Sequence, residues 1–313
     1  MLGSSNLKVS VVSLGTWVFG GENWGKVDDD ESIATIQKAI ELGINLIDTA
    51  PAYGNGHAEE ILGKAITGRR DNVFIATKCG LQKKGKTFIH DLRPAEIRKE
   101  LEHSLSRLNI DYVDLYQCHW PDPTTPIEVT LEEMLKMQSE GKIRFIGVSN
   151  FDLLLLKKAL AVTPVTSLQI QYSLLERRAE ESGLLEFCKK KGVGIMTYGS
   201  LGGGLLTGKY KNQPTFPKND ARRFFYPFYK PQEWLRYHEF VEAIQKIAQE
   251  KGKPLVQIVL NWLIQQSGVT TALVGARTRE QVKKNARAMQ GELSENDLVQ
   301  IKKIYHRFFK NFS

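Results

Sequence analysis

Leu42-Gly43-Ile44-Asn45-Leu46-Ile47-Asp48-Thr49-Ala50 decides how the rest of the chain is read. An amphipathic stretch stops at a glycine, a short apolar run follows, and the run ends on a carboxylate. Upstream, Ile33, Ile36 and Ile40 recur three and four residues apart, so they line one face of a helix. Asp28 to Asp30 offer that helix an N-terminal cap, and Gly43 offers it a stop. The same helix–glycine–strand joint returns at Glu140-Gly141-Lys142 and Lys191-Gly192-Val193.

Eight apolar runs read as strands: Val11–Trp17, Asn45–Ala50, Val73–Lys78, Tyr112–His119, Ile143–Asn150, Ser167–Ser173, Gly194–Ser200 and Thr271–Ala276. They are nearly continuous in apolar residues, as parallel strands buried on both faces are. Helical periods lie between them. One begins at Pro94, which suits a first turn, and carries Ile97, Leu101, Leu105 and Leu108. Eight strand–helix units predict an α/β chain folded as one closed (β/α)8 TIM barrel over residues 1–313. A doubly wound open sheet is the alternative, but no GxGxxG follows the first strand. Two helices exceed the repeat. Glu233–Lys251 is followed by Pro254–Gln266 before the last strand, and Glu295–Phe309 follows the last unit. After the seventh strand comes a long irregular loop, Leu201–Gln232, which exceeds a plain connector and predicts a binding loop or lid.

Composition narrows the function. A chain of 313 residues with 42% apolar and 25% charged residues excludes whole-chain disorder, collagen and coiled coil. Cys79, Cys118 and Cys188 form no CxxC pair, which excludes a disulfide scaffold and a zinc ribbon. They are expected to be small buried apolar residues in a reducing, cytoplasmic setting, with Cys79 and Cys118 adjoining Lys78 and His119. The net charge of +8 favours an anionic partner, yet no run of like charge suggests a nucleic-acid tail. Residues 1–10 lack a signal-peptide apolar stretch, and Leu255–Ile264 is too short and too polar to span a bilayer. The expectation is a soluble protein with a small-molecule substrate and neither nucleic acid nor membrane as partner. A monomer is the default and a homo-oligomer the alternative.

Polar residues end the apolar runs: Asp48, Lys78, His119, Ser149 and Asn150. In a barrel those ends form the active-site face. Buried Asp, Lys and His are costly unless paired, so their convergence predicts a working site. Tyr53 follows Asp48 on the same loop. Lys78 is expected to favour its phenolate and lower its pKa, Asp48 to hold Lys78 charged, and His119 to hydrogen-bond a substrate oxygen. Trp17, Trp24 and Trp120 stand near strand ends and read either as pocket walls or as ordinary core. Gly203-Gly-Leu-Leu-Thr-Gly208-Lys209-Tyr210 nearly spells a P-loop, but Tyr210 replaces the Mg²⁺-binding hydroxyl, which favours a glycine-rich turn. No HExxH pair is present, so no metal site is expected; a metal-dependent hydrolase using His119 and Asp48 is the weakest rival. Lys189-Lys190-Lys191 reads as the end of a helix. Arg277, Arg279, Lys283, Lys284 and Arg287 crowd the last strand's exit, where Thr278 can cap a helix and an anion can sit.

Asp48-Thr-Ala-Pro-Ala-Tyr53-Gly54, Lys78 and His119 resemble the Asp–Tyr–Lys–His tetrad of the aldo-keto reductases. Gly147-Val-Ser-Asn150-Phe and Tyr198-Gly-Ser-Leu201-Gly are similar to other signature segments, and the likeness runs from Val12 to Thr278. The resemblance implies NADPH-dependent carbonyl reduction, with Tyr53 as acid, Lys78 as its pKa-lowering partner, Asp48 as anchor and His119 as polariser. It implies that Ser149, Asn150 and Gln169 bind the nicotinamide carboxamide, with Gln171 competing for that role, and that Tyr198 stacks under the ring. Further NADP(H) contacts are implied at Gly15, Thr16, Trp17, Asp48, Gly199, Ser200, Leu201, Gly203, Lys209 and Gly275. The glycine-rich segment would then drape over the pyrophosphate. The adenosine 2′-phosphate falls near Arg277, Gln281 and Asn285, and Lys284 departs from the acidic residue common there. The implied substrate pocket is Trp17, Trp24, Tyr53 and Trp120. Some relatives are nucleotide-sensing regulatory subunits; the complete tetrad favours an enzyme.

Overall fold

The computed structural model describes residues 1–85 and 87–310. Eight parallel strands close into a barrel: β1 (Val12–Gly15), β2 (Leu46–Asp48), β3 (Phe74–Cys79), then β6 (Val113–Cys118), β7 (Ile143–Ser149), β8 (Ser167–Gln171), β9 (Gly194–Tyr198) and β10 (Val269–Gly275). Between β3 and β6 lies a separate antiparallel hairpin, β4 (Leu81–Lys84) and β5 (Thr87–His90). The helices are α1 (Asp29–Glu41), α2 (His57–Ala65), α3 (Pro94–Leu108), α4 (Ile127–Ser139), α5 (Leu153–Val162), α6 (Arg178–Glu181) and α7 (Leu184–Lys191). They continue with α8 (Ala221–Phe225), α9 (Pro231–Glu250), α10 (Leu255–Ile264), α11 (Arg279–Ala286) and α12 (Glu295–Phe309). The expected (β/α)8 barrel is therefore present, with both supernumerary helices.

Local signals act as read. Asp28 caps α1 by accepting from the Glu31 amide at 2.9 Å, Pro94 opens α3, and Lys189 to Lys191 fill the last turn of α7. Six of the eight barrel strands are shorter than their apolar runs; β3 is as long and β10 one residue longer. β1 stops at Gly15 because Trp17–Gly20 winds into a 3₁₀ turn. The hairpin corresponds to none of the eight apolar runs. Its apolar residues Phe88 and Ile89 are 44% and 36% exposed, so burial left no periodic signal in the sequence.

Alternation inside the barrel matters more. Leu46, Ala76, Leu115, Met196 and Leu273 fill the interior, with Leu2 and Leu7 packed against them. Two residues further along their strands stand Asp48, Lys78 and Gln117, with Gln169 joining them from β8. Apolar and polar layers thus stack along the axis at the period of two that strands impose. The alternate residues, such as Ile47 and Tyr116 between the layers and Cys79 and Cys118 just past them, face the helical shell instead. Reading the runs as uniformly apolar hid this alternation.

The stretch after β9 is ordered. A 3₁₀ turn spans Gly202–Thr207, α8 follows, and a second 3₁₀ turn spans Pro227–Tyr229. The Ala221 amide donates to Asn23 O at 2.9 Å and Asn219 Nδ2 to Glu22 O at 3.0 Å. The segment is thereby strapped to the loop after β1. That loop also meets the one carrying Tyr53. A Cβ on Gly20 would lie 2.6 Å from the Gly54 nitrogen and the Tyr53 carbonyl carbon. Gly20→Ala is expected to cost about 1–3 kcal/mol by overpacking. Urea unfolding checks this, and an unchanged midpoint would show that the two loops do not press together.

Candidate active site

Lys78 sits at the centre of the barrel mouth and is fully buried. An ammonium has three hydrogens to place. Here Nζ donates to Asp48 Oδ1 at 2.6 Å, to Thr49 O at 2.9 Å and to Tyr53 Oη at 3.1 Å. The Tyr53 oxygen accepts from lysine, so its own hydrogen is free to point elsewhere. Asp48 Oδ2 accepts from Gln169 Nε2 at 2.8 Å and Gln117 Nε2 at 3.2 Å. The His119 ring stands edge-on to Tyr53, with centroids 5.8 Å apart. Four residues from β2, its following loop, β3 and the end of β6 thus meet as the sequence suggested.

Their protonation follows from burial and neighbours. Burial works against the charge on Lys78, but Asp48 and Tyr53 outweigh it and hold the pKa above the ordinary lysine value. For Tyr53 the expected lowering is corrected. Burial pushes the phenol up, Lys78 pulls it down, Asp48 pushes it up again, and the net direction is upward. His119 is held well below the ordinary histidine value, first by burial and then by Lys78 and His90. A protonated phenol and a neutral imidazole therefore face one another across the mouth. Burial also pushes the Cys79 thiol up, and Cys188 up to about 12; the three cysteines are free and buried. Glu100, which sequence reasoning passed over, is pushed up to about 7 by burial while accepting from the Gly80 amide at 2.6 Å.

The other anticipated residues divide. Asn150 adopts a positive φ of 62°, accepts from Tyr198 Oη at 2.8 Å, and donates to His119 O and Ser149 Oγ, each at 3.0 Å. Ser149, Asn150, Tyr198 and His119 thus form one connected group. Gln169 reaches Asp48, whereas Gln171 packs against Gly199. Gly15 and Gly275 pair at the rim. Ser200 Oγ is buried and donates to Leu273 O at 2.8 Å, so its hydroxyl is spent within the fold. Leu201 begins the 3₁₀ turn, Gly203 lies under the Tyr226 ring, and Lys209 is exposed with Nζ over Tyr210. No α-helix starts at Gly208, so the phosphate-cradling context of a P-loop is missing there. At α11, Thr278 caps the start, Gln281 Oε1 accepts from the Arg277 amide, and Arg277 Nη2 donates to Lys26 O. Asn285 lies buried on α11, and Arg279 and Lys283 pair with Glu31 and Glu280.

Trp17, Trp24 and Tyr53 come together. Trp17 packs edge-on to Trp24 at 5.2 Å and stacks with Tyr53 at 6.1 Å. Trp120 stacks instead on His90 of the hairpin. Phe225 was missed; it packs 5.4 Å from Trp17 and 6.2 Å from Tyr198. No local signal in the sequence marks it, because α8 reaches the mouth only through its straps. Among the described residues no group of three His, Cys, Asp or Glu could hold a metal ion, and no helix is long and apolar enough to cross a membrane.

Residues 11–306 match the Aldo/keto reductase family. The chain belongs to that family. Aldo-keto reductase YhdN of Bacillus subtilis is 42% identical over 97% of this chain and 92% of its own. The NADH-specific methylglyoxal reductase of Escherichia coli is 34% identical over 97% of each. Among solved structures, the glycerol dehydrogenase AKR11B4 of Gluconobacter oxydans superposes with a TM-score of 0.91 at 37% identity, covering 99% of this chain and 96% of that one. An aldo/keto reductase of Klebsiella pneumoniae, solved in complex with NADP and acetate, gives 0.74 at 29% identity over 95% and 92% of the two chains. This aldo/keto reductase is accordingly an oxidoreductase of a family that works with nicotinamide cofactors.

The depressed His119 pKa has a stability consequence. Below the ordinary value of 6.5 the unfolded histidine binds a proton that the folded one refuses. More protons on the unfolded state mean that stability falls as pH drops through that value. Glu100 acts oppositely: between 4.5 and about 7 the folded state holds the extra proton. The difference between wild type and His119→Asn isolates the histidine. The stabilising contribution of neutral His119 is expected to shrink between about pH 7 and pH 5. A pH-independent difference in denaturant unfolding would contradict the assignment.

Proposed function

We propose that this aldo/keto reductase reduces an aldehyde or ketone with NADPH, and that Tyr53 delivers the proton. The observation that carries the reading is the direction of the hydrogen bond at Tyr53, where the oxygen accepts from Lys78 and keeps its own hydrogen available. The residues at the mouth fit such a cofactor. The Thr16 hydroxyl and the Trp24 ring nitrogen are buried there without a partner among the described residues. Gly202, Gly203 and Gly204 run at positive φ and present backbone without side chains. Ser149, Asn150 and Gln169 would hold the carboxamide, Tyr198 the ring face, and Arg277, Gln281 and Asn285 the 2′-phosphate. When bound, NADPH supplies the hydride for the carbonyl carbon.

Tyr53 gives its proton to the carbonyl oxygen, and Lys78 remains hydrogen-bonded to the phenolate left behind. A phenol whose pKa lies above the ordinary value keeps its proton at neutral pH, which suits an acid. Asp48 keeps Lys78 charged throughout. Neutral His119 donates to the same carbonyl oxygen and orients it. Trp17, Trp24 and Phe225 wall the site and exclude water. We read the chain as a monomeric single-domain cytoplasmic enzyme with a small carbonyl substrate; three free buried cysteines support the reducing compartment.

Spectrophotometric NADPH consumption across aromatic aldehydes, methylglyoxal, keto-esters and sugars tests the reaction. One turnover of bound NADPH without further cycles would point to a nucleotide sensor instead. Tyr53→Phe is expected to lower kcat by roughly a hundredfold or more while NADPH affinity stays within about twofold. Near-normal turnover would remove Tyr53 from the chemistry. Arg277→Ala is expected to weaken NADPH by roughly tenfold and NADH far less, because only the former carries the extra phosphate. Equal losses, read by fluorescence titration of both cofactors, would discredit that site.

A further inference from the structure

We propose that Gln117 is a positioning residue of the proton-donating group, holding Asp48 against Lys78 through the carboxylate oxygen that the lysine does not use. The proposal rests on the reduction reading above, and three observations support it. Gln117 is fully buried in the barrel interior, where a polar side chain is expensive without partners. Its Nε2 donates to Asp48 Oδ2 at 3.2 Å beside the Gln169 donor at 2.8 Å, and the two amides lie 3.5 Å apart. The neighbouring strand makes room for it. Gln117 pairs with Gly147 in register, and a Cβ on Gly147 would come within 2.9 Å of Gln117 Cγ.

The arrangement has a chemical logic. A buried carboxylate with one oxygen on an ammonium still has unsatisfied lone pairs on the other. Two neutral amide donors satisfy them without adding a positive charge to compete with Lys78. They also fix the rotation of the carboxylate, so that Oδ1 stays aimed at Nζ. Lys78 in turn places the Tyr53 oxygen. Gln117 therefore acts on the phenol through Asp48, to which it donates, and Lys78, with no hydrogen bond of its own to Tyr53. The titratable groups gathered here are Asp48 from β2, Tyr53 from the loop after it, Lys78 from β3 and His119 from the end of β6.

Gln117→Met keeps the shape and removes the donor; Gln117→Glu keeps a donor only while the new carboxyl is protonated. With Gln117→Met, kcat is expected to fall roughly ten- to a hundredfold, with NADPH affinity within about twofold of wild type. Gln117→Glu is expected to run near wild type at acid pH and to lose activity as pH rises, a limb missing from wild type and from the methionine variant. A second measurement needs no turnover: the ultraviolet titration of the Tyr53 phenol, taken as the difference from Tyr53→Phe. Its midpoint is expected to move up in both variants, more in Gln117→Glu. An unmoved midpoint with wild-type pH dependence would overturn the proposal, as would losses of activity that merely track cofactor affinity or melting temperature. A wild-type chain that turns over no carbonyl would instead fault the reduction reading, and the phenol titration would still decide the role of Gln117.

Discussion

The site depends on one buried ion pair, Lys78 with Asp48, closed at 2.6 Å where β2 and β3 open into the barrel mouth. Neither charge is tolerable there alone. Breaking such a pair from one side costs about 3–5 kcal/mol because the other charge remains buried. The pair persists because every remaining valence is met. Lys78 finds two further oxygens, and Asp48 finds two amides. Tyr53 is one of those oxygens, so the proposed proton donor is placed by the same contacts that make the charge bearable.

Two opposing effects on Tyr53 explain why such a site needs an ion pair rather than a lone cation. Desolvation favours the neutral phenol, and the ammonium favours the phenolate. Burial prevails in the resting chain, so the proton stays on. In the proposed reduction Lys78 matters most after transfer, when it faces a full negative charge. Preorganised charge of this kind acts where charge develops and needs no rearrangement at that moment. His119 completes the picture from the other side, kept neutral by burial and by the same lysine.

The aromatic wall depends on a longer chain of contacts. Phe225 meets Trp17 and Tyr198 because α8 is pinned to the loop after β1. Tyr229 Oη donates to Gly203 O at 3.2 Å, and Arg222 grips Asp220. The strap is therefore a packed element over the barrel mouth, and the aromatic wall joins segments some two hundred residues apart in the chain, Trp17 and Phe225, tied by the bond from Asn219 to Glu22.

Much of this protein was legible in its sequence. Eight apolar runs alternating with helices, three of them entered through a glycine stop, could bury both faces of their strands only in a parallel sheet with helices outside. Polar residues ending those runs marked the open face; Asp48, Lys78 and His119 could be named because each ends an apolar run, and Tyr53 because it follows Asp48 on the same loop. What the chain order could not carry was which residues face inward together. Gln117 stands two positions before His119, and its partners lie 69 and 52 residues away at Asp48 and Gln169. The hairpin's exposed strands, the Trp120 stack on His90 and the reach of Phe225 are equally invisible, since each is set by a contact between distant segments. The direction of the Tyr53 shift belongs to the same class. Sequence shows that a lysine is near enough to matter; only closure of the barrel decides how much water is lost, and water loss outweighs the lysine.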